Sequence, residues 1–456
     1  MAERQFDAIV IGAGPAGEVC AGRLADGGLE VALIEQHLVG GECSYYACMP
    51  SKALLRPGEL RAEVGRVPGV REMVSGELDV GAALRRRDEV IHDLDDSVQL
   101  PWLEDHGIEL VRGRAEFAGE RRVAVGGDFL EARRAIVVAT GSTAAIPPIE
   151  GLAEASPWGN REATTAKRAP KRLLILGGGV VGVEMAQAWS SLGSSVALVE
   201  AADRILAGEE PFVSEEVGEA LGEHGVDLRV GVKAVGAARG EGGQVSLRLE
   251  GGDELRADEL LIAVGRRPRT DDIALETVGV EPGGFLDVDD QLRVGGSDWL
   301  YAIGDVNGRA LLTHMGKYQA RICADHVLGK DVAASCDRVG PPRVIFTDPE
   351  VAAVGRTLEA AREAGTDARA VDVKTSANAG ASFRGRNTAG TSRLVVDERE
   401  RVIVGATFVG TEIAESLHAA TIAVNAAVPL ERLWHAVPAF PTRSELWLRL
   451  MEAYGL

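Results

Sequence analysis

No run of five or more lysines or arginines occurs in these 456 residues, and 49 basic against 69 acidic side chains leave a net charge of −20. Phosphodiester backbones and anionic lipid are poor partners for such a surface, so neither nucleic-acid binding nor stable membrane insertion is expected. Long hydrophobic runs are missing too: no apolar stretch approaches the roughly 18 residues of a spanning helix. The opening residues lack the basic region and small-residue cleavage site of a secretory signal and pass straight into Ala8-Ile9-Val10-Ile11, which points to a cytoplasmic protein. Cysteine is scarce. The five thiols, Cys20, Cys43, Cys48, Cys323 and Cys336, are odd in number and scattered, unlike a secreted disulfide framework, and only Cys43 and Cys48 are close in sequence.

Glycine is abundant instead, with 56 residues, about one in eight against an average near 7%. Much of it belongs to one kind of turn. Phe6 to Ile11 reads as a strand, Gly12-Ala13-Gly14-Pro15-Ala16-Gly17 as a turn, the stretch to about Asp26 as a helix and Glu30 to Ile34 as a second strand. The unit recurs as Leu173 to Leu176, Gly177-Gly178-Gly179-Val180-Val181-Gly182, a helix through Ser190 and Ser195 to Val199. Between the copies, Gly81 to Val98 predicts a helix, Glu109 to Val125 short strands, and Ile146 to Pro170 a crossing segment. Beyond Pro341-Pro342, strands such as Arg393 to Val396 and Val402 to Val409 alternate with helices and no glycine fingerprint follows. The expected fold class is α/β: two Rossmann-like dinucleotide-binding domains plus a C-terminal α+β domain.

In each fingerprint the first glycine (Gly12, Gly177) permits a tight turn and the second (Gly14, Gly179) lets the backbone approach a pyrophosphate. The third (Gly17, Gly182) lets helix and strand pack closely, leaving the helix N-terminus aimed at the phosphates. Glu35 and Glu200 each stand 18 residues after the last glycine, where a carboxylate accepts both ribose hydroxyls. An ordinary glycine turn is the plainer reading, but strand, helix and acid agree in both copies. Glu200 would repel the 2′-phosphate of NADP and so favours NAD, a preference that nearby Arg204 would soften.

Cys43-Ser44-Tyr45-Tyr46-Ala47-Cys48 adds a third redox element. Thiols at this spacing close a disulfide if a helix start brings their Cβ atoms to about 3.8 Å. Two inert buried thiols, or a metal site, are the alternatives; zinc would need two more ligands, and no other Cys or His pair has ligand spacing. Gly40-Gly41 before the pair and Met49-Pro50-Ser51-Lys52 after it favour a disulfide at a helix N-terminus, where the dipole lowers a thiolate pKa.

The order of these segments, together with Ala139-Thr140-Gly141-Ser142, Gly265-Arg266-Arg267-Pro268, Gly304-Asp305 and Phe346-Thr347-Asp348-Pro349-Glu350, resembles the pyridine nucleotide-disulfide oxidoreductases over almost the whole chain. Dihydrolipoamide dehydrogenase, glutathione reductase and mercuric reductase belong to that family. The resemblance implies a homodimeric FAD enzyme in which NADH reduces flavin and flavin reduces a Cys43–Cys48 disulfide, with Cys48 nearer the flavin and Cys43 outermost. It implies an FAD-binding part at 1–150 with 266–340, an NAD-binding part at 151–265 and a dimerisation part at 341–456. FAD would be held by Gly12, Gly14, Gly17, Glu35, Gly41, Lys52, Ala115, Thr140, Gly141, Ser142, Asp305 and Thr313, the last opening, with His314, a helix aimed at the flavin. NAD would be held by Gly177, Gly179, Gly182, Glu184, Glu200 and Gly265, with NADH favoured over NADPH. Lys52 and Glu184 would pair beside flavin and nicotinamide.

The chain departs from the family near its end. Where the thiol-reducing members offer His-Pro-Thr and then a Glu from the partner subunit, this sequence reads Phe440-Pro441-Thr442-Arg443-Ser444-Glu445. Phenylalanine carries no proton, so thiol–disulfide interchange loses a contribution of roughly 10² to 10⁴ in rate. Glu445 joins Cys43, Cys48, Lys52 and Glu184 in the expected catalytic set, although alone it is a poor base, and His435 reads as a structural residue. Tyr45 and Tyr46 replace the family's small residues and Asn, either to shape an acceptor channel or to pack in the core. Trp447 to Leu456 holds no cysteine pair, unlike mercuric reductase, and no metal site is expected. The expected function is electron transfer from NADH through flavin and Cys43–Cys48 to a small-molecule acceptor, quinone-like rather than disulfide. Dihydrolipoamide dehydrogenase or another low-molecular-weight disulfide reductase is the alternative, and a non-catalytic flavoprotein redox sensor the second.

Overall fold

The structure, a computed structural model, describes residues 3–386, 388 and 390–456. It divides into two compact units, one drawn from residues 1–50, 88–145 and 265–337, the other from 51–87, 146–264 and 338–456.

In the first unit Glu3–Ile11 lies between Val31–Glu35 and Asp128–Val138, all parallel, with Glu109–Arg112 outside Val31–Glu35. Asp128–Val138 also pairs with Leu300–Ala302 in parallel and with the hairpin of Arg122–Val125 and Ala115–Gly119. Strands covered on both faces read as unbroken apolar runs. Accordingly Ala8 and Val10 enter a core with Cys20 and Leu24 of helix Pro15–Asp26 and Ala320 and Ala324 of helix Thr313–Val327, while Ile9 and Ile11 enter the opposite one with Phe117 and Trp299. The turn after Glu3–Ile11 requires glycine: Gly12 has φ +105°, and a Cβ there would strike the Ala139 carbonyl oxygen.

In the second unit Asp227–Arg229, Ser195–Val199, Arg172–Leu176 and Glu259–Ile262 form a parallel sheet in that order, with helix Val180–Ser191 after Gly177. A five-stranded antiparallel sheet follows, in the order Arg343–Ile345, Glu350–Gly355, Val402–Gly410, Thr391–Asp397, Ala368–Lys374. Helices Leu417–Asn425 and Glu445–Tyr454 share its core. Ile345, Val351 and Val409 of that sheet join Val183 and Trp189 of the dinucleotide fold and Leu54 and Leu55 of helix Cys48–Arg66 in one cluster. The α/β class with a C-terminal α+β part is the one expected.

The helix expected over Gly81 to Val98 is shorter. Val80–Val90 is helical, but His92, Asp93 and Leu94 take left-handed φ values of 50°, 52° and 63°, which no continuing α-helix accepts. Among the described residues no helix is long and apolar enough to cross a membrane.

Candidate active site

The two fingerprints build the same cradle twice. A Cβ on Gly14 would meet nothing within 4 Å, whereas one on Gly17 would strike the Gly12 carbonyl oxygen. The loop is thus open before the helix N-terminus and closed beneath it, the shape a pyrophosphate needs. Gly177 and Gly182 repeat the collision, and Gly179 has only the Ala263 carbonyl oxygen, 4.0 Å away. Glu35 accepts from the Ala13 N–H at 2.8 Å and the His37 N–H at 2.6 Å. Glu200 does the same with Gly178 at 2.6 Å and Ala202 at 2.7 Å. Each carboxylate is therefore fixed by backbone and keeps a lone pair per oxygen for a ribose. Arg204 is spent elsewhere: it donates to the carbonyls of Leu206, Ala207 and Glu209 and to Ser214 Oγ.

Around the first cradle, Ser142 Oγ donates to Asp305 at 2.5 Å and accepts from Arg266 at 2.6 Å, and Thr140 Oγ1 donates to the Arg269 carbonyl at 2.7 Å. Arg269 also holds Glu42 at 3.1 Å. In the sequence only Gly265 of this segment stands out; Arg266 meets Ser142 because strand Arg266–Pro268 pairs with Ser142–Ala144. Gly141 and Gly265 take φ of +73° and +147° with open space where a Cβ would be. Ala115 has its methyl buried in the core, which leaves its backbone for any ligand contact.

Gly41, at φ +57°, stands so that a Cβ would lie 2.7 Å from the Gly14 Cα, which brings the dithiol segment against the first cradle. Short helix Gly41–Tyr45 presents Cys43, and helix Cys48–Arg66 opens on Cys48. The two thiols lie in hydrogen-bond contact with each other. Cys48 Sγ lies 3.3 Å from Thr313 Oγ1, at the start of helix Thr313–Val327. The pair, Thr313 and the first cradle are thus brought together. The Cys43 thiol is pushed up from its ordinary pKa, first by the Cys48 thiol and then by burial. That is opposite to the lowering expected at a helix N-terminus, because two thiols this close do not ionise together. Tyr45 is core, 1% exposed, and its ring meets that of half-buried Tyr46 edge-on at 6.4 Å.

In the second unit Lys52 Nζ donates to Glu184 Oε2 at 2.8 Å, while Glu184 Oε1 accepts from the Phe346 N–H at 3.0 Å. Gln187, one turn along the same helix, accepts from the Asp348 N–H at 2.9 Å. Its three-residue spacing from Glu184 is the signal that would have found it. Glu445 is buried and accepts from the Ala379 N–H at 3.2 Å. Phe440 is 77% exposed. His435 is also exposed, past the end of helix Leu430–Leu433, and is not a core residue.

The model of the pyridine nucleotide-disulphide oxidoreductase family matches residues 6–320, and that of its dimerisation domain residues 341–451. A dihydrolipoyl dehydrogenase of Thermus scotoductus is 33% identical over 99% of this chain and 97% of its own length. A mercuric reductase of Lysinibacillus sphaericus is 30% identical over 97% of this chain and 81% of its own. Among solved structures, the Cu(II) complex of the HOCl-induced flavoprotein disulfide reductase RclA from Escherichia coli is 29% identical, covers 98% of this chain and 99% of its own, and superposes with a TM-score of 0.87. Paired dinucleotide folds with a cysteine pair at the first cradle define a flavoprotein oxidoreductase. The chain belongs to the pyridine nucleotide-disulphide oxidoreductase family. It is an enzyme; the family is FAD-dependent and uses pyridine nucleotides, and the dimerisation domain supports a homodimer.

Proposed function

We propose that the chain is a cytoplasmic NADH oxidoreductase that reduces its own Cys43–Cys48 disulfide and turns over on a quinone-like small molecule. The observation that carries the choice of acceptor is Phe440, an exposed hydrocarbon ring, 77% exposed, where the family's partner subunit offers a histidine. A disulfide acceptor needs a proton delivered to a departing thiolate, whereas a quinone takes its protons from water. In the balance, NADH and one proton reduce the quinone to the quinol and leave NAD⁺.

FAD would be held by Gly12, Gly14, Gly17, Glu35, Gly41, the backbone of Ala115, Thr140, Gly141, Ser142, Asp305 and Thr313, within 1–150 and 266–340; bound there it supplies two-electron exchange between NADH and the sulfur pair. NAD would be held by Gly177, Gly179, Gly182, Glu200 and Gly265 in 151–265, and 341–456 would dimerise. Glu184 fixes the ammonium of Lys52, the charge that would face flavin and nicotinamide. Glu200 favours NADH, and the four hydrogen bonds of Arg204 to its own loop and Ser214 support that preference. Glu445, bonded to the Ala379 N–H, would hold the segment that carries Phe440 rather than move protons.

A second reading is supported by the copper complex of the Escherichia coli relative: paired thiols are soft ligands, and Cu(II) is an acceptor that also needs no proton. The test is NADH oxidation by the purified dimer with a soluble naphthoquinone, Cu(II) or lipoamide. The quinone is expected to turn over fastest; Cu(II) in its place favours the second reading, and turnover with none of them favours a sensor.

A further inference from the structure

Cys43 sits in a segment with little hold on itself. Helix Gly41–Tyr45 has five residues, against the roughly 12 to 15 at which an isolated helix becomes even marginal in water, and it starts from Gly40 and Gly41, whose φ values of 107° and 57° are left-handed. Its placement therefore comes from outside. On one side of Cys43, Tyr45 is buried in the core; on the other, Glu42 accepts from Arg269 Nη2 at 3.1 Å, with both of these side chains 23% exposed.

Arg269 reaches Glu42 from a fixed point. Its N–H donates to the Gly141 carbonyl at 3.0 Å, its carbonyl accepts the Thr140 hydroxyl at 2.7 Å, and its Nε donates to the Ser142 carbonyl at 3.3 Å. Next in the chain, fully buried Thr270 accepts from the Gly283 N–H at 3.0 Å and donates to the Gly284 carbonyl at 3.1 Å. Just before Thr140, the Ala139 carbonyl oxygen lies against Gly12 of the first cradle. The guanidinium thus ties the thiol-bearing segment to the frame that builds the cradle.

We propose that Arg269 and Glu42 are positioning residues that hold the Cys43 segment where the disulfide closes, and thereby set the reduction potential of the Cys43–Cys48 pair. The proposal rests on the reading of Cys43–Cys48 as the redox pair. Two thiols already held in place lose little freedom when they join, so their disulfide is stable. Once the segment is released, the dithiol gains freedom, the disulfide does not, and the pair becomes easier to reduce. Reduction by a small dithiol breaks the Cys43–Cys48 bond, forms one S–S bond in the reductant and passes its two protons to Cys43 and Cys48. A pure charge effect has a different sign pattern: loss of Arg269 would bare a carboxylate beside the thiols and disfavour a thiolate, and loss of Glu42 would do the reverse. Release moves both variants the same way.

The test is equilibration of the holoenzyme, without oxygen, with mixtures of reduced and oxidised dithiothreitol, followed by alkylation and mass spectrometry of the peptides that carry Cys43 and Cys48. Arg269→Met and Glu42→Met should each raise the equilibrium constant for reduction by about three- to tenfold, and the double variant should go no further than the larger single, because both break one contact. Arg269→Lys should fall between the parent and Arg269→Met, since an ammonium keeps the charge and loses the planar fork. A constant unmoved in either single, shifts of opposite sign, or a double shift equal to the sum overturns the proposal. If Arg269→Met fails to retain flavin, Glu42→Met and Arg269→Lys decide by whether both ease reduction. A parent enzyme with no Cys43–Cys48 disulfide in any mixture would instead overturn the redox-pair reading on which the proposal rests.

Discussion

Lys52 reaches Glu184 across 2.8 Å while its ammonium lies 4.6 Å from the centre of the Phe346 ring, and the same carboxylate accepts the Phe346 N–H. The acid is buried and the lysine a third exposed, with side-chain exposures of 5% and 35%. Removal of the lysine leaves a buried charge with one backbone partner, whereas Glu184→Gln leaves a neutral amide that still accepts from Phe346. Lys52→Met should therefore lower stability by about 1–2 kcal/mol, the exposed lysine keeping the loss below that of a fully buried pair, and Glu184→Gln should cost less. Urea midpoints of the two variants check the order; a larger loss in Glu184→Gln would show that the carboxylate serves mainly to hold the Phe346 segment.

Glu200 has both oxygens on backbone donors at the strand end, at 2.6 Å and 2.7 Å, and so cannot swing away from an incoming 2′-phosphate. We expect kcat/KM for NADH to exceed that for NADPH by at least about tenfold, and Glu200→Ser to narrow the ratio. Arg204→Ala should leave the ratio unchanged and lower the Tm, because its hydrogen bonds serve its own loop. A ratio that moves toward NADH in Arg204→Ala would mean that the guanidinium reads the phosphate.

What was legible in the sequence was local. Gly12 and Gly177 announce themselves because the turn admits no side chain, and Glu35 and Glu200 follow at a fixed distance along a strand and helix of fixed rise. Lys52 and Glu184 are far apart in sequence and were legible only through the family pattern. Residues decided by packing are not legible: the helix break at His92 to Leu94 carries no Gly or Pro signal, Tyr45 looks as available as Tyr46, and Arg204 shows a charge but not its partners.

Glu350 begins the strand Glu350–Gly355 and accepts from the Ala414 N–H at 2.9 Å, yet burial raises its carboxyl to about 6 from an ordinary 4.5. A raised folded pKa means that the folded state binds the proton more tightly than the unfolded chain. Stability from this group falls as pH rises from about 4.5 to about 6, and the cost is fully present above that window. Glu350→Gln should therefore stabilise the protein by about 1–2 kcal/mol at pH 8 and by almost nothing at pH 4. Denaturant titrations of both proteins at the two pH values measure it; an equal effect at both would place the carboxylate's role in packing, not in charge.

Phe440 is the residue on which the acceptor turns. Exchange of Cys43 with a small disulfide requires a proton at the departing thiolate, and Phe440 has none to give. Arg443 does not cycle one either, being always charged and bonded to the Thr411 carbonyl. Glu445 is buried, with its carboxylate held on the Ala379 N–H. Lipoamide reduction should therefore be slow beside quinone reduction. Phe440→His should raise the lipoamide rate by about 10² and leave the quinone rate nearly unchanged, since only the first reaction needs the proton. The variant keeps an aromatic ring at a site exposed in the single subunit, so the fold of the subunit is not at risk. Fast lipoamide turnover by the unaltered enzyme, at rates that Phe440→His does not improve, would show that the proton reaches Cys43 by another route and return the chain to the dihydrolipoamide dehydrogenases.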